Sequence, residues 1–229
     1  MIRARDCLAI ALALVLGAAV GTAAGAQPAG AAPRGAGFMA RTGSFLGLLG
    51  AEKVQKELKL SDAEVAKTQE IGKKLGAEMR EPFAGLREIQ DRRKAWAKMT
   101  ELLQQFDEKA RGQLRDVLSQ EQLMRLYQVR LQVRGPVYGL NNSWIAERLK
   151  LTDEQKKKGA KIDAAMQEKI YELLGGLRDL TPEQRREKMA EVGEKYNKIR
   201  NEADKQALGL LTAEQKEALE KLKGEKFEL

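Results

Sequence analysis

A short pattern recurs five times in the chain: leucine, then serine or threonine, then glutamate or glutamine three residues later. Its copies begin at Leu60, Leu118, Leu151, Leu180 and Leu211. In a capping box the hydroxyl accepts the backbone N–H three residues on, and the Glu or Gln side chain accepts the N–H of the capping residue. The pattern therefore predicts five helix starts, with N-caps at Ser61, Ser119, Thr152, Thr181 and Thr212. A cap is a folding device, so the pattern alone indicates a helical chain and no activity.

Apolar residues at spacings of three and four follow the predicted starts, as on one face of a helix. The first half predicts a short helix that ends near Lys59 and a long helix from Ser61 that Pro82 interrupts. A third helix continues the period through Trp96, and a fourth, from Ser119, ends at Gly135-Pro136. The stripes carry few aromatic residues, so each half is expected to bury only a thin core.

The second half of the chain repeats this plan. Leu58–Glu64 aligns with Leu149–Gln155, and Leu118–Gln122 aligns with Leu211–Gln215, in the same order. Repetition of whole helical segments is typical of an internal duplication. We therefore predict an all-α fold of two tandem helical repeats, residues 44–135 and 136–229. Each would have about four helices, long amphipathic ones alternating with short capping helices.

The amino terminus has the features of an export signal. Arg3 and Arg5 precede an apolar run, and Ala24-Gly25-Ala26 is a small-residue cleavage site. We predict a signal peptide over residues 1–26, cleaved after Ala26, and a flexible Gly/Ala/Pro leader over residues 27–43. The expected location is the periplasm, and the mature chain is expected to have no integral membrane segment because no later stretch is long and apolar enough.

Composition excludes several kinds of site. Histidine is absent, and the one cysteine, Cys7, lies in the predicted signal. That pattern excludes disulfides, thiol or histidine catalysis, and the usual Cys/His metal sites. No glycine-rich phosphate loop or aspartate-rich calcium loop is present. We therefore predict no catalytic residues, no cofactor and no metal, and a protein that is not an enzyme.

Basic residues outnumber acidic ones, 41 to 33, for a formal charge of +8. The two signs are intermixed, as on solvated helix faces. Clusters such as Arg92-Arg93 and Lys156-Lys157 are either such faces or a surface for acidic partners. Few aromatic residues accompany these clusters, so nucleic acid is not an expected partner.

Several methionines lie on the apolar stripes, where Met either fills gaps in a core or forms an adaptable binding surface. Met79 with Phe83, and Met166 with Ile170, combine Met with a second apolar residue near a basic cluster. Our candidate residues for binding a client or partner are these four and the neighbouring basic residues: Met79, Phe83, Arg92, Arg93, Lys156, Lys157, Met166 and Ile170.

Three of the boxes, at Leu151, Leu180 and Leu211, spell Leu-Thr-x-x-Gln, and the two upstream boxes are variants of it. With an export signal, helical stripes and no histidine, the chain resembles the Spy/CpxP-type LTxxQ-motif proteins of the bacterial periplasm. The resemblance implies an ATP-independent chaperone or envelope-stress modulator, in a family of cradle-shaped helical dimers that hold unfolded clients on a concave face. This chain is longer and carries the plan twice. The expected assembly is therefore a homodimer or a single-chain pseudo-dimer.

Two functions are compatible with these features. The first is an exported, holdase-like chaperone or envelope-stress accessory protein that binds unfolded or partner proteins through apolar and basic helical surfaces. The alternative is a structural helical envelope protein with no client activity. An exposed apolar patch favours the first function, and fully paired apolar stripes favour the second.

Overall fold

The computed structural model describes residues 43–177 and 180–229, apart from the side chain of Pro182. The predicted signal peptide, its cleavage site at Ala26 and residues 27–42 of the predicted leader lie outside the described residues. Within those ranges the chain consists of helices and their connections, with no β-strand. The predicted all-α fold is confirmed.

Ten α-helices and one 3₁₀ turn make up the described residues. In the first half they are α1 (Phe45–Leu49), α2 (Glu52–Glu57), α3 (Asp62–Glu78), α4 (Arg80–Gly85), the 3₁₀ turn Leu86–Glu88, α5 (Arg92–Leu114) and α6 (Gln120–Asn141). In the second half they are α7 (Ser143–Arg148), α8 (Asp153–Gly175), α9 (Pro182–Gly209) and α10 (Ala213–Lys223). Among these helices, none is both long enough and apolar enough to cross a bilayer.

The helices group into two compact units. Unit 1 contains the described residues up to Val133 together with Glu228–Leu229, and unit 2 is Arg134–Phe227. Helix α6 runs through both, but Gly135 interrupts it with φ 75° and ψ −178°. That backbone conformation favours glycine, and Pro136 has no N–H to continue the helical ladder. The predicted break at Gly135-Pro136 is therefore present.

All five capping boxes form. Ser61, Thr152, Thr181 and Thr212 each accept the N–H of the third helical residue, whose side chain accepts the N–H of the cap in return. Ser119 exchanges the same two bonds with Gln122, at 2.8 and 3.2 Å. These local bonds fix the first residues of the five helices that follow the boxes, which are α3, α6, α8, α9 and α10.

The turn before the first box has the same backbone structure as the turn before the third. Lys59 and Lys150 both have φ 51°. In each turn the N–H of the following residue donates to the carbonyl five residues earlier, Leu60 to Gln55 and Leu151 to Ala146. This is a Schellman helix end, here with lysine where glycine is commoner. Each stretch thus ends one helix and starts the next within a few residues.

Three helix boundaries differ from the prediction. The helix expected to end near Lys59 is divided at Gly50–Ala51 into α1 and α2. The long helix ends at Glu78, before Pro82 itself, because Pro82 has no N–H to donate to the Glu78 carbonyl. The short helix expected at the start of the second repeat, by the plan of the first, is divided at Asn142, whose side chain accepts the Ile145 N–H.

The core of unit 1 includes a cluster at the connection between α3 and α5. Its buried members are Met79, Phe83, Leu86, Met99 and Leu102. Helix α1 supplies a second buried group, Phe45, Leu48 and Leu49, against α3 and α5. In unit 2 the helices α8 and α9 pack along each other, and Ile170, Leu177, Val192, Ala203 and Ala207 are buried.

Candidate protein-binding surface

The structure places the predicted apolar binding residues mostly in the core. Met79 is 3% exposed and Phe83 2%, so both belong to the buried cluster of unit 1 and not to its surface. Ile170 is buried on α8, and Met166, one turn before it, is half-buried. The helical period identified the apolar face correctly. It carried no information on which part of that face a neighbouring helix covers.

The four predicted basic residues are exposed. Arg92 and Arg93 form the first turn of α5, and Lys156 and Lys157 lie in the second turn of α8. Lys156 is 3.3 Å from Asp153 on its own helix. A pair this exposed contributes little to stability. These four side chains therefore lie at the surface.

Four apolar side chains flank the buried cluster of unit 1 and remain half-buried. They are Ile89, Trp96, Leu103 and Phe106, which we call the apolar patch. Trp96, Leu103 and Phe106 follow one another on α5 at spacings of seven and three, which puts them on one helix face. Trp96 belongs to a predicted apolar stripe, but none of the four residues is among the predicted binding residues. Their helical spacing with Met99 was the available signal.

Unit 2 has a comparable half-buried stripe along α8 and α9. Its members are Ile162, Met166, Leu173, Leu174, Tyr196 and Ile199. None of these six residues is a tryptophan. Two helices packed side by side cover only one strip of each other's surface. The remaining apolar surface of this pair is therefore half accessible.

An open depression of about 230 Å³ lies between α3 and α5 of unit 1. It is lined by Lys67, Glu70, Ile71, Lys74, Gln113 and Val117. Cavities that bury a drug-sized ligand hold roughly 300–1,000 Å³. Among the described residues, no group of three or more Cys, Asp or Glu side chains is arranged to hold a metal ion.

Two capping boxes of unit 2 bind each other. The Gln155 amide donates to the Leu210 carbonyl at 2.8 Å, and the Gln215 amide donates to the Leu149 carbonyl at 3.2 Å. The two glutamine side chains also exchange hydrogen bonds, at 2.7 and 3.1 Å. Each glutamine thus has two roles. Its side-chain oxygen caps the start of its own helix, and its side-chain nitrogen caps the end of the helix that precedes the other box.

The two boxes of unit 1 also meet, through the side chains of Glu64 and Gln122. Glu64 accepts the Ser61 backbone N–H at 2.7 Å and also bonds Gln122, the last residue of the second box. The Ser61 backbone N–H, and then its hydroxyl, hold the pKa of Glu64 below its ordinary value. The fifth box, from Thr181 to Gln184, makes only its own capping bonds in the described part of the chain.

A buried ion pair fixes α1 in unit 1. Arg130 on α6 pairs with Asp107 on α5, which also accepts the Phe45 N–H at 2.9 Å. The Arg130 guanidinium carbon lies 3.9 Å from the centre of the Phe45 ring. That ring meets Tyr127 edge-on, with 5.3 Å between the ring centres. The pair therefore joins three helices around one aromatic side chain.

An aspartate caps the first helical segment of unit 2 as well. The Val137 N–H donates to Asp204 of α9 at 3.0 Å. Burial raises the pKa of Asp204, and the opposing effects of the Val137 N–H and the positive charges of Arg200 and Lys223 are smaller. A Cβ atom added at Gly135 would lie 2.4 Å from the Asp204 carboxylate. Glycine at 135 is therefore required by both the backbone angle and this cap.

Comparison with known proteins gives no match. No protein-family model matches the chain, and no curated protein or solved structure matches it.

Proposed function

We propose that this chain is an exported, ATP-independent, holdase-like chaperone or envelope-stress accessory protein. It works in the periplasm and binds unfolded or partner proteins through apolar and basic helical surfaces, without chemistry of its own. The LTxxQ-type boxes, through which the chain resembles the Spy/CpxP-type proteins, support this proposal.

One observation carries this proposal: the long helices have apolar stripes that their own unit covers only in part. In unit 1 the apolar patch lies half-buried beside exposed arginines. In unit 2 the apolar stripe of α8 and α9 is also half-buried, and α8 carries exposed lysines. Half-covered apolar surface next to charge suits reversible contact with exposed apolar segments, since further burial on binding is favourable.

The structural alternative also has an observation in its favour. Among the described residues, exposed large apolar side chains are few: Met124 at 47%, Met189 at 39% and Leu229 at 38%. Scattered exposed side chains are normal on a protein surface. A helical envelope protein that packs against one fixed partner accounts for this pattern without client activity.

The internal duplication is part of the proposal. Both units have the same Schellman turn at a lysine, paired capping boxes and an aspartate from a long helix that caps the unit's first segment. We propose that these shared features descend from one helical repeat of about four helices. The two repeats would then take the place of two subunits in a single-chain pseudo-dimer.

Light scattering tests the proposal directly. The chain without its predicted signal is mixed with a chemically unfolded client in the absence of ATP. The expected result is suppression of aggregation at near-stoichiometric ratios. Aggregation that continues at a large excess of the protein sinks the holdase function. Crosslinking to a fixed partner then becomes the experiment for the structural alternative.

A further inference from the structure

The two units differ at the connection between their long helices. In unit 1 this connector, residues 79–98, holds α4, the 3₁₀ turn and the start of α5. It supplies Met79, Phe83 and Leu86 of the buried cluster and Ile89 and Trp96 of the apolar patch. The corresponding stretch of unit 2, residues 170–191, has one aromatic residue, Tyr171. The first connector has Phe83 and Trp96, with Phe106 packed against the same cluster.

The two connectors also differ in charge. Residues 79–98 contain six basic and three acidic residues, whereas residues 170–191 contain four basic and five acidic ones. The first connector is thus distinctly basic in a chain whose totals are 41 and 33. Clustered charge of one sign steers and holds partners of the opposite sign.

Three exposed arginines of the first connector lie close in sequence to residues of the buried cluster or the apolar patch. Arg92 precedes Trp96 by one turn of α5, and Arg87 follows Phe83 by about one turn. Arg80 follows Met79 at the start of α4. Within the described ranges, none of the three forms an ion pair or hydrogen bond through its side chain. Their guanidinium groups can bind carboxylates with paired N–H donors.

We infer that the first connector and the adjoining apolar face of α5 form the protein-binding site of this chain, and that its partner is an apolar, aromatic-containing segment flanked by Asp or Glu. The inference rests on the proposed function and adds the place and the chemistry of the contact. The partner's apolar side chains pack on Trp96, Leu103 and Phe106, and its carboxylates bind Arg80, Arg87 and Arg92. The second connector, with excess acidic charge and no tryptophan or phenylalanine, does not bind such a segment.

Trp96 allows the contact to be measured at the site. The chain has two tryptophans, so Trp144→Phe leaves Trp96 as the sole reporter of fluorescence. The probe is a synthetic peptide of Leu and Phe residues flanked by Asp and Glu, compared with the same peptide carrying Lys in place of the acids. The acidic peptide is expected to shift Trp96 emission saturably, and the basic peptide is not.

A matched pair of charge reversals tests the arginines. Arg87→Glu with Arg92→Glu is compared with Arg186→Glu with Lys188→Glu in the second connector, so that both double variants change the net charge equally. We expect at least about tenfold weaker peptide binding for the first variant and unchanged binding for the second. Equal losses in both variants overturn the assignment, because they indicate general charge attraction.

The outcomes separate this inference from the proposed function. If the protein suppresses client aggregation while the acidic peptide leaves Trp96 emission unchanged, the connector assignment is wrong and the proposed function stands. If the peptide binds as expected but aggregation continues, the connector is a docking site for a defined partner and the holdase function fails. Preserved circular dichroism in both double variants excludes unfolding as the cause of any loss.

Discussion

At the scale of single residues, the most consequential side chains are charged groups that hold helix starts. Asp107 and Asp204 each accept an N–H at the first segment of their unit, from Phe45 and Val137. Both aspartates are far along the chain from the amides that they cap. A short helix such as α1 has no stability of its own, so such external bonds and its three buried side chains hold it in place.

The buried pair of Arg130 and Asp107 gives a prediction about stability. Arg130→Met leaves the Asp107 carboxylate in a site where it is only 15% exposed. Removing one partner of a buried pair is expected to cost about 3–5 kcal/mol in free energy of unfolding, measured by urea denaturation. Lys98→Met is the control, since Lys98 and Glu101 are about half exposed and their pair contributes less than about 1 kcal/mol. Similar losses for both variants contradict a structural role for the pair.

Glu64 gives a prediction about pH. Its pKa is lowered in the folded protein from an ordinary value of 4.5, chiefly by the Ser61 backbone N–H. Its contribution to stability is therefore complete above pH 4.5 and is lost as the pH falls through the lowered pKa. Glu64→Gln places in unit 1 the residue that the boxes of unit 2 have, and it does not titrate.

The measurement is the melting temperature of both proteins between pH 7 and pH 3. The difference between the original protein and Glu64→Gln is expected to change in favour of the variant as the pH drops below 4.5. Melting temperatures that fall in parallel over that range show that the Glu64 carboxylate does not stabilise the fold.

At the scale of helices, the capping boxes have two roles that differ in range. The first is local, because the Ser or Thr and the Glu or Gln of one box fix one helix start. The second is the pairing of boxes, in which Gln155 and Gln215 cap each other's preceding helix ends. Only an amide side chain can do both, since it accepts with its oxygen and donates with its nitrogen.

Glutamate at position 155 tests this second role. Gln155→Glu keeps an acceptor for the Thr152 N–H but loses the donor to the Leu210 carbonyl, and it places a carboxylate beside that carbonyl. We expect a loss of about 1–3 kcal/mol in the free energy of unfolding. Gln184→Glu is the control, because that box is not paired in the described residues and glutamate at a helix start is favourable. Equal effects at the two positions exclude the pairing as a source of stability.

The contrast between local and distant bonds explains what the sequence could predict. Helix starts at Ser61, Thr152 and Thr212 are encoded by residues three positions apart, so they were predictable. The pairing of Gln155 with Gln215 depends on how helices pack, and no local pattern contains it. The same limit applies to Met79 and Phe83. The helical period placed them on an apolar face, but their burial depends on how the connection between α3 and α5 packs. The same packing leaves Trp96 half-buried.

At the scale of the whole chain, the proposed pseudo-dimer makes a prediction about mass. If two repeats in one chain replace two subunits, the protein is expected to be a monomer at low micromolar concentration. Light scattering coupled to size-exclusion chromatography measures this. A stable dimer of the full chain contradicts the pseudo-dimer, although it leaves the all-α fold and the connector site unaffected.

The two aspartate caps also bear on the order in which the protein is made. The carboxylates of Asp107 and Asp204 emerge from the ribosome 62 and 67 residues after the amides that they bind. The Phe45 and Val137 amides therefore gain these acceptors only after most of their unit has been synthesised, although Ser44 caps α1 locally through the Gly47 N–H. Bonds between residues so far apart favour a unit that folds as one block over helices that form in sequence. Late closure of each unit suits a chain that crosses a membrane before it folds, which is the export that we propose for this protein.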